Sequence, residues 1–161
     1  MANIKDLKTK PFHIFNQQWA LLTSGPISKH NSMTISWGEM GTLWNKNVVT
    51  VYVKPCRYTY SFMEDNDVFV VSFFDEKYRK ALGIMGELSG RDVNKDEASG
   101  LTPIAYKDTT IYKEASITLI CKKIYFNDLL IENMPSDAIK HHYQVDKPHR
   151  MYIGEVIEII D

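Results

Sequence analysis

The sequence predicts a mainly β fold, a closed or split antiparallel barrel that carries a few short helices. Segments that alternate polar and apolar residues, or that are apolar almost throughout, recur along the chain as strands do. About six to eight strands and two or three helices are expected, and the strands follow one another without regular helical crossovers. This order disfavours a parallel α/β sheet, which needs a crossover between successive strands.

Periodicity and turn residues assign the strands in chain order. Residues 10–24 contain several aromatic and aliphatic side chains before Gly25 and Pro26, and they are predicted to form a strand that ends in a turn. Gly38 and Gly41 are expected to mark a bend that follows the next strand. Further strands are predicted at 48–53, 68–74, 115–126 and 151–160.

Three helices are predicted between these strands. Residues 58–66 form a short one, and residues 76–88 form an amphipathic one because apolar side chains recur there every three or four positions. The third covers 136–143, with Ser136 as its cap, inside a long connection at 128–150. Long connections in compact domains are often functional lids.

Size and charge limit the function. A chain of 161 residues with 44% hydrophobic content suits one domain, expected over 1–161. The formal net charge is -1, so there is no basic excess for nucleic acid, and nucleic acid is not an expected partner. No segment has the length and composition of a signal peptide or a membrane span. A cytoplasmic location, with no membrane partner, is therefore expected.

The cysteines and histidines give no clear metal or redox motif. Cys56 and Cys121 are far apart, and Cys121 lies in an apolar run where a buried core role is expected. Cys56 is interpreted as a passive neighbour of the site described below, with a reactive thiol as the alternative. His141 and His142 are adjacent and lack a carboxylate at ligand spacing, so no metal site is predicted.

The stretch Asn31 to Gly38 is the centre of the functional prediction. Its residues alternate strictly, with small polar Ser32, Thr34 and Ser36 on one face and apolar residues, including Trp37, on the other. The polar face would let a planar ligand approach the backbone. Trp37 is either a core residue or a neighbour of that ligand, and Trp44 is expected in the core.

A second stretch, one strand later, predicts an anion site. Thr59 lies at the predicted start of a helix, where free backbone amides favour an anion. Lys54 and Arg57 bring positive charge beside it. This combination suits a phosphate monoester, although an ordinary capped helix with charged neighbours has the same appearance.

Four motifs carry a family resemblance. They are N-S-M-T-I-S-W-G at 31–38, V-Y-V-K-P-C-R-Y-T at 51–59, S-G-R-D-V-N-K at 89–95 and H-R-M-Y-I-G-E-V at 149–156. In order and identity they resemble the flavin reductase-like family of FMN-binding split barrels, particularly its flavoredoxin-like branch. The resemblance covers nearly the whole chain. It implies an FMN cofactor and a homodimer with FMN at the subunit interface.

The resemblance also implies roles for single residues. Arg91 and Lys95 would reach the flavin from a polar loop, with Lys95 beside the ring, and His149 would lie on the flavin or nicotinamide side. Asn94 and Lys54 depart from the family pattern, which has an acidic residue and an arginine there. The predicted cofactor-binding residues are Asn31, Ser32, Met33, Thr34, Ser36, Trp37, Lys54, Arg57, Tyr58, Thr59, Ser89, Arg91, Lys95 and His149.

The function that follows is an FMN-binding oxidoreductase. The dinucleotide motif G-x-G-x-x-G is absent from the sequence, so NAD(P)H would bind only transiently over the flavin. The activity is predicted to be flavin reduction by NAD(P)H or flavoredoxin-like electron transfer, with NAD(P)H or a redox protein as donor. The alternative is a non-enzymatic FMN-binding carrier or sensing module. No catalytic side chain is assigned, because the cofactor carries the chemistry.

Overall fold

The computed structural model describes residues 7–161, and its elements are mainly strands. The strands are β1 (Ala20–Ser24), β2 (Asn31–Ile35), β3 (Gly38–Leu43), β4 (Lys46–Val53), β5 (Val68–Phe73), β6 (Pro103–Tyr106), β7 (Thr109–Tyr112), β8 (Ile117–Asp128) and β9 (Arg150–Ile160). The helices are α1 (Pro11–Asn16), α2 (Thr59–Asp65), α3 (Arg79–Glu87), α4 (Lys95–Ser99) and α5 (Ser136–His142). Short 3-10 turns occur at Glu76–Tyr78 and Ile131–Asn133.

Seven strands form one antiparallel sheet in the order β2-β1-β5-β8-β9-β4-β3, and β6 pairs with β7 in a separate hairpin. The predicted antiparallel fold class is therefore confirmed. Within the described residues β2 and β3 end the order without pairing to each other, so hydrogen bonds do not close the sheet. The site described below lies along one of these edges, at β2.

The sheet is covered on both faces, which explains the nearly continuous apolar sequence of β5. Phe69, Val71 and Phe73 point into the main core, together with residues of β1, β4 and β9. On the other face, Leu82 and Met85 of α3 pack with residues of β1 and β7. Helix α3 is thereby fixed against the sheet beside β2.

The pairing of β8 with β9 is irregular at two places. β8 has register shifts at Ile120/Cys121 and Lys123/Tyr125, and such bulges increase local twist. Gly154 on β9 lies where a Cβ atom would come within 2.5 Å of the Phe69 ring. Only glycine therefore allows β9 to approach the core this closely.

Several predicted elements differ from the structure. Residues 10–24 are not one strand, because α1 precedes β1 and Pro11 occupies its first helical position, where its fixed φ is favourable. The bend predicted at Gly38 and Gly41 is the strand β3. It joins β4 through Trp44 and Asn45, whose φ angles of 52° and 59° are those of a two-residue type I′ turn.

Two further expectations about single residues are wrong. Ser136 is the first residue of α5 rather than its cap, and Pro135 precedes it without a side-chain cap. Trp44 is 62% exposed, because the turn carries it out of the sheet. Cys121, in contrast, is fully buried as predicted. Among residues 7–161 no helix is both long and apolar enough to cross a membrane.

Candidate functional site

Two adjoining pockets lie beside the edge strand β2, and Met33 and Arg57 line both. The first, the cationic pocket, has a volume of about 200 Å³ and is lined by Asn31, Met33, Cys56, Arg57, Tyr58, Thr59, Glu87, Leu88, Ser89, Gly90, Arg91 and Lys95. The second, the tryptophan pocket, has a volume of about 330 Å³ and is lined by Met33, Thr34, Ile35, Ser36, Trp37, Tyr52, Lys54, Arg57 and His149. Of the predicted cofactor-binding residues, Ser32 alone lines neither.

Three cations converge on the cationic pocket. Arg57 Nη2 donates to the carbonyl of Gly86 at 2.9 Å. The Arg91 guanidinium lies 4.8 Å from the centre of the Tyr58 ring and donates weakly to the carbonyl of Cys56. None of the ion pairs found in residues 7–161 involves Arg57, Arg91 or Lys95. The pocket therefore has an excess of positive charge that an anion would balance.

Lys95 is buried, contrary to the expectation that it lies in a polar loop. It begins α4, which Asn94 caps by accepting hydrogen bonds from the amides of Asp96 and Glu97. Its side chain is 7% exposed, and Nζ donates to the carbonyl of Ser32 at 2.6 Å. Burial lowers the pKa of Lys95 to about 8; nearby Arg57 acts in the same direction and Asp96 opposes it.

The cationic pocket is closed by a contact between β2, α2 and the loop before α4. Asn31 Nδ2 donates to Thr59 Oγ1 at 2.8 Å, which fixes the first residue of α2 against β2. Gly90 lies so close that an added Cβ would be 2.2 Å from Asn31 Oδ1. A glycine is required there for the loop to bring Ser89 and Arg91 to the pocket.

Ser32 points into the interior and supports the site from behind. Its hydroxyl is 2.8 Å from Thr23 Oγ1 and 2.9 Å from the hydroxyl of Tyr112. Tyr112 in turn donates to Asp96 at 2.5 Å, and His30 lies 3.0 Å from the same carboxylate. Burial alone would raise the pKa of Asp96, but hydrogen bonds with His30 and Tyr112 hold it below its ordinary value. This buried network fixes α4 against β2.

Trp37 lies outside the core, so its predicted place on the buried face is wrong. β2 ends at Ile35, and the chain then crosses to the far end of the sheet, which breaks the alternation. Trp37 is 42% exposed. Its ring centre lies 5.0 Å from that of His142 and 5.0 Å from that of His149. Thr34 and Ser36 are half-buried, and Thr34 donates to the carbonyl of Leu82 in α3 at 2.5 Å.

His149 also lines the tryptophan pocket. Its Nδ1 lies 2.8 Å from the hydroxyl of Tyr143. Burial, with a smaller contribution from the nearby charge of Lys54, lowers the pKa of His149 to about 4. The imidazole is therefore neutral at pH 7. The hydrogen bond with Tyr143 fixes the orientation of the imidazole. The sequence alone did not indicate this partner.

Lys54 lies apart from the other predicted phosphate residues. Its Nζ is 3.0 Å from Asp146 Oδ2 and 3.3 Å from the carbonyl of His142, so it ties the 128–150 connection to the end of β4. Lys95 lines the cationic pocket together with Arg57 and Arg91. Tyr52, Gly86 and Gly90 also shape the pockets; the prediction missed them because their contacts arise only from the fold.

The structure shows no grouping typical of a metal centre. Within residues 7–161 no three His, Cys, Asp or Glu side chains converge in a way that could hold an ion. The site that is present combines excess positive charge with an aromatic pocket, an arrangement suited to a phosphorylated planar ligand.

The chain thus combines an antiparallel sheet with a cationic pocket and an adjoining tryptophan pocket at the edge strand β2. Residues 12–160 match the family described as the flavin reductase like domain, and the chain belongs to that family. The predicted family is therefore confirmed, and the predicted flavin cofactor is confirmed at the level of that family. Among curated proteins, no sequence matches the chain significantly.

Solved structures show the same fold. Flavoredoxin from Methanosarcina acetivorans is 19% identical, with a TM-score of 0.71 over 99% of this chain and 76% of that chain. The FMN-binding domain of a flavin reductases-like enzyme from Shewanella baltica is 20% identical, with a TM-score of 0.67 over 92% and 71%. An FMN-binding protein from Thermus thermophilus with bound p-hydroxybenzaldehyde is 16% identical, with a TM-score of 0.70 over 100% and 82%.

Proposed function

We propose that this protein binds FMN beside β2 and acts as an FMN-dependent oxidoreductase that takes electrons from NAD(P)H. The observation that supports it best is the convergence of Arg57, Arg91 and Lys95 on one pocket whose lining has a single carboxylate, Glu87, and where none of the three cations forms an ion pair within residues 7–161. Lys95 is buried, a buried cation normally requires a partner of opposite charge, and a phosphate would supply it. Family membership supports flavin as the rest of that ligand.

In this proposal the cationic pocket holds the phosphate. Arg57 and Arg91 offer guanidinium donors suited to phosphate oxygens, and Lys95 adds a third positive charge to the lining of the pocket. Thr59 and Ser89 also line the pocket and carry hydroxyl groups. Sequence reasoning assigned Lys54 to the phosphate as well, but its pairing with Asp146 makes it better suited to the neighbouring pocket.

The tryptophan pocket would then hold the ring, since it adjoins the cationic pocket through Met33 and Arg57. FMN, when bound, supplies the hydride- and electron-transfer chemistry. Trp37 offers a flat apolar wall, and neutral His149 offers a hydrogen-bonding nitrogen without charge. Lys54 and Arg57 bring positive charge, which favours an anionic reduced ring over a neutral one.

The first experiment compares FMN with riboflavin, which lacks the phosphate. Arg57→Ala should weaken FMN binding roughly ten- to a hundredfold, since a charge-assisted hydrogen bond contributes about 1.5–3 kcal/mol, and should leave riboflavin binding nearly unchanged. Lys122→Ala, which removes one exposed positive charge from β8 outside both pockets, is the matched control. Equal losses for both ligands would show that Arg57 does not contact phosphate.

A second candidate function, electron carriage without turnover of nicotinamide, is favoured by the structural likeness to two flavoredoxins. Anaerobic addition of NADH or NADPH to the FMN-loaded protein separates the two. Bleaching of the flavin absorbance within seconds supports the reductase. Reduction only by dithionite, followed by electron transfer to a redox protein, supports the carrier.

A further inference from the structure

A large open cleft lies between α1 and the 128–150 connection, next to the tryptophan pocket. Its volume is about 870 Å³, within the range of about 300–1,000 Å³ typical of small-molecule sites. Ser36, Trp37 and Tyr52 line both this cleft, here called the α1 cleft, and the tryptophan pocket. A molecule in the α1 cleft would therefore lie beside whatever occupies the tryptophan pocket.

The walls of the α1 cleft are mainly apolar. Phe15 forms its floor and is 2% exposed, whereas Phe12 at its mouth is 93% exposed. Leu130 and Met134 approach from the 128–150 connection. A phenyl ring that is almost fully exposed at the mouth of an apolar cleft is typical of a binding surface rather than of ordinary packing.

The charges of the α1 cleft select against anions. Its lining residues within the described chain include no Lys or Arg. Asp128 is paired with Arg150 at 2.7 Å, so its charge is largely balanced. Glu39 accepts a hydrogen bond from the hydroxyl of Tyr52 at 2.7 Å, and no ion pair among residues 7–161 involves it. Among the described lining residues the cleft therefore has a carboxylate acceptor, Glu39, that is free of ion pairs, and no Lys or Arg.

We propose that the α1 cleft binds a small uncharged ring compound with a hydroxyl or amine donor. The ring would lie among Phe12, Phe15 and Trp37, and its donor would reach Glu39. A nicotinamide dinucleotide does not fit this chemistry, because its pyrophosphate would meet Glu39 without a compensating cation. This binding does not rest on the proposed function.

The test uses the full chain loaded with FMN and two probes with the same fused ring. 2-Naphthol is uncharged at pH 7 and carries a donor, whereas 2-naphthoate is an anion. Calorimetry should show 2-naphthol binding at least tenfold more tightly than 2-naphthoate. Ala138→Trp, which fills the cleft from α5, should abolish binding of 2-naphthol, and the matched variant Ala105→Trp on exposed β6 should not.

A third variant keeps the test decisive if Ala138→Trp does not fold. Glu39→Gln removes the negative charge and should bring the affinity of 2-naphthoate to within about threefold of that of 2-naphthol. Equal affinity of both probes for the unmodified protein, or full binding of 2-naphthol to folded Ala138→Trp, would overturn the proposal.

FMN binding and probe binding are measured separately, so that the proposed function and the α1 cleft are tested independently. If FMN binds and NADH or NADPH bleaches it but neither probe binds, the α1 cleft is not a ligand site while the proposed function stands. If 2-naphthol binds as expected but FMN does not, the binding site is supported and the proposed function fails. Tighter self-association of Ala138→Trp without probe binding would identify the cleft as an interface between copies and overturn the proposal.

Discussion

At the scale of single residues, Lys95 connects the stability of the fold to the site. Its ammonium donates to the carbonyl of Ser32, while the buried network of Ser32, Tyr112 and Asp96 lies behind it. Burial lowers the pKa of Lys95 to about 8 because the charged form is poorly hydrated there. A phosphate in the cationic pocket would reverse this effect by favouring the charged form.

This coupling predicts a pH dependence for FMN. In the protein without ligand, Lys95 loses its proton as pH rises through about 8, below its ordinary value of 10.5. FMN affinity should therefore fall by up to tenfold per pH unit between about pH 8 and 10, because binding must take up that proton. Fluorescence titrations at several pH values measure it, with riboflavin as a ligand that lacks the phosphate.

Lys95→Met provides the control for that prediction, since methionine keeps much of the length of the side chain without the charge. Its FMN affinity should be lower at pH 7 and should lose the slope above pH 8. The variant should also unfold at a lower urea concentration, because the carbonyl of Ser32 loses its donor. An unchanged slope in folded Lys95→Met would place another group in control of FMN binding.

At the scale of elements, local pattern predicted the strands well where alternation or apolar runs were long. β4, β5, β8 and β9 lie within one or two residues of their predicted ends. The short hairpin of β6 and β7 was not predicted, because each of its strands has only four residues and shows too little periodicity. The sequence did not predict α1, because apolar residues such as Phe12 and Phe15 are also typical of a strand. Only the fold shows that Phe12 is exposed while Phe15 is buried.

Most residues of the candidate site were also predictable from the sequence. Motif order placed thirteen of fourteen residues on two joined pockets, but it could not show which pocket each one lines. The pairing of Lys54 with Asp146 and the burial of Lys95 were not predictable from the motifs, since both are properties of the fold. Tertiary contacts, rather than local propensity, decide both positions.

Helix α3 supplies a prediction at this scale because it contains two glycines in different surroundings. An added Cβ at Gly83 would meet no atom within 4 Å, whereas at Gly86 it would lie 3.2 Å from Thr34 Cβ. Gly83→Ala should raise the free energy of unfolding by about 0.5–1 kcal/mol through helix propensity. Gly86→Ala should give less than half of that gain and should weaken FMN binding, since β2 must move. Urea unfolding and FMN titration of both variants measure the difference; equal stabilisation with unchanged FMN affinity would contradict the contact with β2.

At the scale of the whole molecule, several large aromatic side chains are exposed to solvent in a single copy of the chain. Trp44 is 62% exposed, Phe126 is 50% exposed, and the ring of Trp44 lies 6.5 Å from that of Tyr125. Trp44 lies in the turn between β3 and β4, and Tyr125 and Phe126 lie on β8 of the same sheet. Monomeric proteins seldom expose such a group of large apolar side chains together.

We therefore expect a homodimer that buries Trp44 and Tyr125, an interface that lies outside the two pockets and so differs from the FMN-containing interface that the resemblance implies. Light scattering of the FMN-loaded protein should give twice the chain mass of 18.6 kDa. Trp44→Asp should shift the protein toward monomer by at least tenfold in dissociation constant, because it would place a charge in an apolar interface. Phe12→Asp, at the mouth of the α1 cleft, is the matched control and should leave the dimer intact. A stable monomer that still holds FMN would show that the exposed rings serve another partner, and dissociation by Phe12→Asp alone would move the interface to α1.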